Sequence, residues 1–174
     1  MRGVVILSFV QNTMNGLKKK LELSSGYLYL QDREGNVERY SCTFGQPVSD
    51  GEIDRFEAYT EQKIPLDYLD FLKFSNGCSL FNHEIYGGEK KLFPLDQVEY
   101  LYANVNSRRG YLEIAYISDD TIMIDCNAYS NGEKNYMFAG NSTSSFEDFK
   151  SLGCNFETWL YRFISTNGSK YWTW

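Results

Sequence analysis

Residues 49–88, SDGEIDRFEAYTEQKIPLDYLDFLKFSNGCSLFNHEIYGG, decide how this chain folds. Ser49-Asp50-Gly51-Glu52 has the S-x-x-E form of a capping box, in which a hydroxyl and a carboxylate satisfy the first free N–H groups of a helix. The spacing predicts a helix over Asp50 to Gln62, with Ile53 and Phe56 on its buried side. Pro65 opens a second helix, because a first turn does not need the N–H that proline lacks. Tyr68, Leu69, Phe71, Leu72 and Phe74 follow, and Asn76-Gly77 closes the helix with a residue suited to a left-handed cap. Ser79 to Phe81 and Glu84 to Tyr86 read as short strands before Gly87-Gly88.

Upstream, Phe9 to Leu23 reads as a helix with Phe9, Met14, Leu17 and Leu21 as its apolar stripe. Lys18, Lys19 and Lys20 sit near its C-terminal end, where cations suit the dipole. Tyr27 to Leu30, a turn at Arg33-Glu34-Gly35-Asn36, and Val37 to Phe44 form a hairpin pattern. Downstream, Pro94 opens a short helix over Leu95 to Tyr102. Tyr111 to Ile117, Thr121 to Cys126 and Asn135 to Phe138 read as an antiparallel meander with turns at Asp119-Asp120 and Asn131-Gly132. Phe146 to Leu152 and Phe156 to Ile164 read as two closing helices. Helices and antiparallel strands mix without β-α-β alternation, so the fold class is α+β. The expected organisation is one domain over residues 44–174, with residues 1–43 as a helix-and-hairpin extension packed on it.

The chain has 174 residues, enough for one self-sufficient core. Its 43% apolar and 23% charged residues are ordinary globular values, which exclude wholesale disorder. Aromatics reach 17%, with 14 Tyr and 12 Phe, which is high. The net charge of −6 repels phosphate backbones and disfavours nucleic-acid or anionic-membrane binding. The apolar run Val4 to Val10, broken by Ser8, is too short to span a bilayer. It also lacks the cleavage site of a signal peptide. A reducing cytosol is therefore expected, with Cys42, Cys78, Cys126 and Cys154 as buried free thiols. No two of them have the paired short spacing of a zinc knuckle. The glycosylation-like Asn141-Ser142-Thr143 and Asn167-Gly168-Ser169 carry no weight in that compartment.

Few residues invite a catalytic reading. Cys78 and the single histidine, His83, form a conceivable nucleophile pair, but neighbours across a short strand and turn rarely achieve that geometry. Asp119, Asp120 and Asp125 cluster near one hairpin without the spacing of a calcium loop, and turn capping accounts for them. There is no phosphate-binding glycine loop and no nucleophile elbow. The expectation is a non-enzyme with no cofactor and no metal. Lys18–Lys20, Lys90-Lys91 and Arg108-Arg109 are scattered helix ends and loop tips. Asp50, Asp54, Glu57 and Glu61 share a helix face at spacings of four, three and four. That stripe reads either as a solvated face suited to the dipole or as a dock for a basic partner. Tyr171-Trp172-Thr173-Trp174 reads as a tail packed back on the body, or alternatively as an anchor for a partner.

The segment from Ile53 to Gly88 resembles the SUKH superfamily, in its Smi/Knr-like branch. The family pattern appears as Ile53, Glu57, Ile64-Pro65, Asp67-Tyr68, Phe71-Leu72 and Asn76-Gly77. Leu80-Phe81 and Tyr86-Gly87-Gly88 fit the strand that follows, and Ile114 to Ile117 and Ile124-Asp125 resemble the next two. Phe156 to Leu160 resembles the closing helix. Ile64 stands where leucine is usual, and Cys78 follows the glycine. The resemblance covers about Phe44 onward and implies an antiparallel sheet backed by helices. It also implies a binding role. Bacterial members are mostly cytosolic immunity proteins that neutralise polymorphic toxins, often nucleases; fungal members regulate cell-wall synthesis, and others are adaptors. On that basis the expected partner is a cognate toxin, basic where it holds phosphate. Asp50, Asp54, Glu61, Asp119 and Asp120 are the expected contacts, with an endogenous regulatory partner as the alternative.

Overall fold

The computed structural model describes residues 7–32, 34–104 and 109–174. Val4–Ile6 of the apolar run, Arg33 and Arg108 lie outside them. One antiparallel sheet of eight strands organises the molecule, and its strand order is the chain order, β1 to β8. The strands are β1 (Leu28–Gln31), β2 (Val37–Phe44), β3 (Cys78–His83), β4 (Lys90–Leu92), β5 (Tyr111–Ile117), β6 (Asp120–Asp125), β7 (Met137–Asn141) and β8 (Lys150–Ser151). Helix α1 (Phe9–Leu23) precedes β1. Between β2 and β3 come α2 (Asp50–Thr60) and α3 (Leu66–Phe74); between β4 and β5 comes α4 (Leu95–Asn104). Helix α5 (Cys126–Ser130) joins β6 to β7, and α6 (Phe156–Ser165) follows β8. The architecture is α+β, as the patterning requires.

Because the meander reverses at every strand, its connections sort by end. The β1–β2, β3–β4, β5–β6 and β7–β8 turns lie at one end, and α2, α3, α4 and α5 leave from the other. Register lines up the core in rows: Leu112, Ile124 and Met137, then Ala115, Ile122 and Ala139. All six are buried, in one core with Phe56, Tyr68, Phe71, Phe156, Trp159 and Phe163 of the helices. The intervening row, Glu113, Met123 and Phe138, points to the other face. An aromatic cover closes it there, with Tyr111, Phe138, Phe146 and Phe149 linked ring to ring at centroid distances of 4.7–6.2 Å. A Cβ on Gly140 would overlap the Phe149 ring, so the absence of a side chain there makes this cover possible.

Several sequence expectations change in detail. Val10, and not Phe9, completes the buried stripe of α1 with Met14, Leu17 and Leu21. Phe9 instead meets Tyr161 at 5.4 Å. Helix α3 ends in an extended Ser75, and Gly77 uses its φ of 77° one step later, to turn into β3. Glu84–Tyr86 is a turn, not a strand. Lys90-Lys91 is not a loop tip but two of the three residues of β4, which has too few residues to show a period. Phe146–Leu152 is a short 3-10 turn over Phe146–Asp148 and then β8, not a helix. Its Phe146 and Phe149 have helix-like spacing, but they stack across the sheet.

Candidate interaction site

Each residue of the family-like motif has an internal task. Ser49 and Glu52 form both halves of the capping box that starts α2. Val48 and Ile53, at the two positions of a hydrophobic staple, are both buried. Glu57 accepts the Ile64 N–H at 3.0 Å and bonds Lys63 Nζ at 2.6 Å, which fixes the passage from α2 to α3. Pro65 stands at the N-cap of α3. Asp67 Oδ1 accepts the Tyr136 hydroxyl at 2.5 Å and the Tyr68 N–H at 2.9 Å. Its Oδ2 accepts the Glu157 N–H at 2.9 Å, in the first turn of α6. One carboxylate thus ties α3, the residue just before β7 and the start of α6 together, and its charge suits a helix N-terminus.

The remaining motif residues complete the same frame. Asn76 Oδ1 accepts the Leu95 N–H at 2.7 Å and so starts α4. A Cβ on Gly77 would sit 2.7 Å from Pro94 N, so only glycine fits. Tyr68, Phe71 and Leu72 are fully buried. Tyr68 stacks on Phe71 at 6.1 Å and meets Phe156 edge-on at 5.0 Å. Its hydroxyl has no hydrogen-bond partner among the described residues. The motif is therefore a folding device whose side chains face inward. An open cleft of about 440 Å³ lies beside it, walled by Asp67, Glu133 and Glu157 and floored by Tyr129 and Tyr136.

The expected contact residues are divided between two places. Asp50, Asp54 and Glu61 are exposed on or just after α2. Asp50 pairs with Lys73 at 2.8 Å, and that ammonium holds its carboxyl below the usual range. Arg55, on the same helix, faces Glu99 at 3.6 Å. Glu61 takes a left-handed conformation, φ 57°, and ends the helix before the predicted Gln62. Asp119 lies in the β5–β6 turn instead, and Asp120 opens β6. Asp119 is exposed there with φ 76°. Asp120 is only 7% exposed. Its carboxylate accepts the Trp172 indole N–H at 2.8 Å and pairs with Lys170 at 2.9 Å. Asp120 is thus a clamp for the 170–174 segment and not a surface contact, a correction that spacing alone could not supply. Trp172 packs back at 6.3 Å from both Trp159 and Phe163, while Trp174 stays 85% exposed.

The catalytic candidates are kept apart. Cys78 and His83 sit at opposite ends of β3, and five strand steps span about 17 Å. Burial pushes the Cys78 thiol far up, away from the thiolate a nucleophile needs. All four cysteines are free. His83 Nδ1 accepts the N–H groups of Ile85 and Tyr86 and so shapes a turn. Asp125 accepts the Ala128 N–H at 2.9 Å to start α5. Among the described residues, no group of three or more histidine, cysteine or carboxylate side chains is placed to hold a metal ion. No described helix is long and apolar enough to cross a membrane.

Comparison with known proteins agrees with this frame. Residues 47–162 match the model of the SMI1/KNR4 family, SUKH-1. Two relatives come from Bacillus subtilis (strain 168), and both bear the description uncharacterized protein. YobM is 31% identical over 179 aligned residues, covering 96% of this chain and 92% of YobM. YnaB is 34% identical over 129 residues, covering 74% of this chain and 85% of YnaB. The match spans every motif residue assigned above and most of the sheet, so the chain belongs to the SMI1/KNR4 (SUKH-1) family.

Proposed function

We propose that the chain is a cytoplasmic immunity protein that binds a cognate polymorphic toxin, of nuclease type, and neutralises it by protein–protein contact. The observation that carries this reading is the division of labour in the molecule. Residues of the family motif are consumed in building the frame, which leaves the surface free to differ with the partner. A frame held constant beneath a variable surface is what a family of binding proteins with different targets needs. Family membership supports the immunity role, since the family includes immunity proteins. The net charge of −6 supports a basic target, because complementary charge speeds encounter and orients it. Two acidic regions supply that field: α2 with Asp50, Asp54 and Glu61, and the β5–β6 turn with Asp119.

The test is co-expression. The reading frame beside this gene is induced in a heterologous bacterium, with and without this chain. Restored growth together with co-purification of the two proteins is the expected result. Toxicity that this chain fails to relieve counts against immunity and favours an adaptor role with an endogenous partner.

A further inference from the structure

The end of the sheet that carries the hairpin turns has an apolar centre. The β3–β4 turn is one of its two middle turns, and it holds out Ile85 and Tyr86 at 74% and 85% exposure. The backbone that carries them is held in place. His83 Nδ1 accepts the Ile85 N–H at 3.1 Å and the Tyr86 N–H at 3.2 Å. The Tyr86 ring lies 4.8 Å from the imidazole, which meets Tyr40 edge-on at 5.2 Å from its ring. His83 and Gly87 exchange both backbone bonds at 2.8 and 2.9 Å. Arg39 bridges to Glu84 at 2.6 Å and fixes the start of the turn on β2. Two large apolar side chains are thus presented to water on a prebuilt turn. That arrangement lowers the ordering cost of binding and matches the aromatic anchors of interfaces.

Charge around the pair selects the occupant. Glu34 on the β1–β2 turn, Glu89 on the β3–β4 turn and Asp119 on the β5–β6 turn are all exposed. Among the described residues, three cations at this end are engaged internally, Arg39 on Glu84, Lys170 on Asp120, and Lys90 with its ammonium 5.7 Å over the Phe81 ring, while Lys91 is exposed one step farther along β4. A second copy of the chain would meet this end with like charge, which opposes a two-fold contact. On α2, by contrast, Asp50 is already paired with Lys73, and Arg55 interrupts the acids. We infer that the Ile85–Tyr86 turn is the anchor that retains the toxin, received in an apolar recess with a basic rim. This inference rests on the toxin-binding reading above and adds where the contact lies.

The probe is the purified toxin domain encoded beside this gene, and the readout is association and dissociation rates against the full chain. Ile85→Ser combined with Tyr86→Ala is expected to raise the dissociation rate at least 30-fold. Glu89→Lys is expected to slow association several-fold at low salt, with dissociation little changed. Tyr100→Ala, at a ring 61% exposed on α4, is expected to leave dissociation within twofold of wild type. An unchanged urea midpoint shows that each variant is folded. If the double variant dissociates within threefold of wild type, the turn is not the anchor, although wild-type binding still supports immunity. If the wild-type chain does not bind, the toxin-binding reading fails, and this inference fails with it. Sedimentation of the chain alone supplies a further arm: a wild-type dimer that the double variant abolishes would make the turn a self-association face and overturn the inference.

Discussion

At one end of the sheet, β2 reaches β3 through α2 and α3, β4 reaches β5 through α4, and β6 reaches β7 through α5. At the other end, β1–β2, β3–β4 and β5–β6 reverse in short turns. The helix-bearing end is crossed by side-chain bonds between elements far apart in sequence, such as Asp67 to Tyr136 and Glu157, and Asn76 to Leu95. The turn-bearing end has long-range ties of its own, Asp120 to Lys170 and Trp172 and Arg39 to Glu84, but its turn tips leave Ile85, Tyr86 and Asp119 in water. The contrast teaches that the family motif builds its frame at one end of the sheet, and the proposed recognition turn lies at the other. A substitution should therefore affect folding or binding according to which end it strikes.

The largest break in that comparison is a core cavity. Trp159→Ala removes a fully buried ring stacked at 5.4 Å on Phe163, and about 3–5 kcal/mol of stability should go with it, read by urea unfolding. Asp67→Ala leaves the Tyr136 hydroxyl and the Glu157 N–H without their acceptor. A loss of about 2–3 kcal/mol is expected, and Asp67→Asn should recover part of it.

Alkaline titration sharpens the same point. Burial pushes the Tyr68 hydroxyl up, and burial reinforced by the Asp67 carboxylate does so for Tyr136. Burial also raises the Cys78, Cys126 and Cys154 thiols. Unfolded thiols and tyrosines ionise near pH 8.5 and pH 10, at about their ordinary values, while the folded ones stay protonated. These groups therefore add stability that is fully present at neutral pH and declines as pH rises past those values. Tm should fall above about pH 9, and Tyr136→Phe should flatten the part of the fall above pH 10. An unchanged slope in that variant would remove Tyr136 from this account.

Smaller effects follow. Tyr68→Phe removes a buried hydroxyl that has no partner, so stability should hold or rise by up to about 1 kcal/mol. Ile85→Ser, at the turn-bearing end, should shift unfolding by less than about 0.5 kcal/mol. A large loss there would merge the two ends and break the comparison.

Legibility in the sequence follows the same divide. Helix α1, the hairpin strand Val37–Phe44, the capping box at Ser49 and the strand Tyr111–Ile117 stand where local pattern put them. Their signals lie within a few residues: a period, a cap or a turn. Strand β4 was not legible, because Lys90-Lys91-Leu92 becomes a strand only through its neighbours β3 and β5. Phe146 and Phe149 misled for a related reason, since Phe146 packs on Tyr111, remote in sequence, and Phe149 covers Gly140 across the β7–β8 connection. Asp120 looked like a surface acid beside Asp119. Its burial depends on Lys170 and Trp172, about fifty residues away. The motif residues were legible as frame-builders, whereas the exposed pair on the β3–β4 turn was hidden inside what read as a strand, Glu84–Tyr86.

Strand order equal to chain order has a consequence for descent. No strand is inserted between two that both precede it in the chain, so each edge is also where the sheet begins or ends in sequence. A lineage could gain or shed the β1–β2 hairpin at its edge without rethreading what remains. In this chain that hairpin lies outside the span of the family match, and it supplies one wall of the turn-bearing end. Growth at the edge of the sheet is thus a route by which a fixed frame acquires a new target while its inherited interior stays untouched.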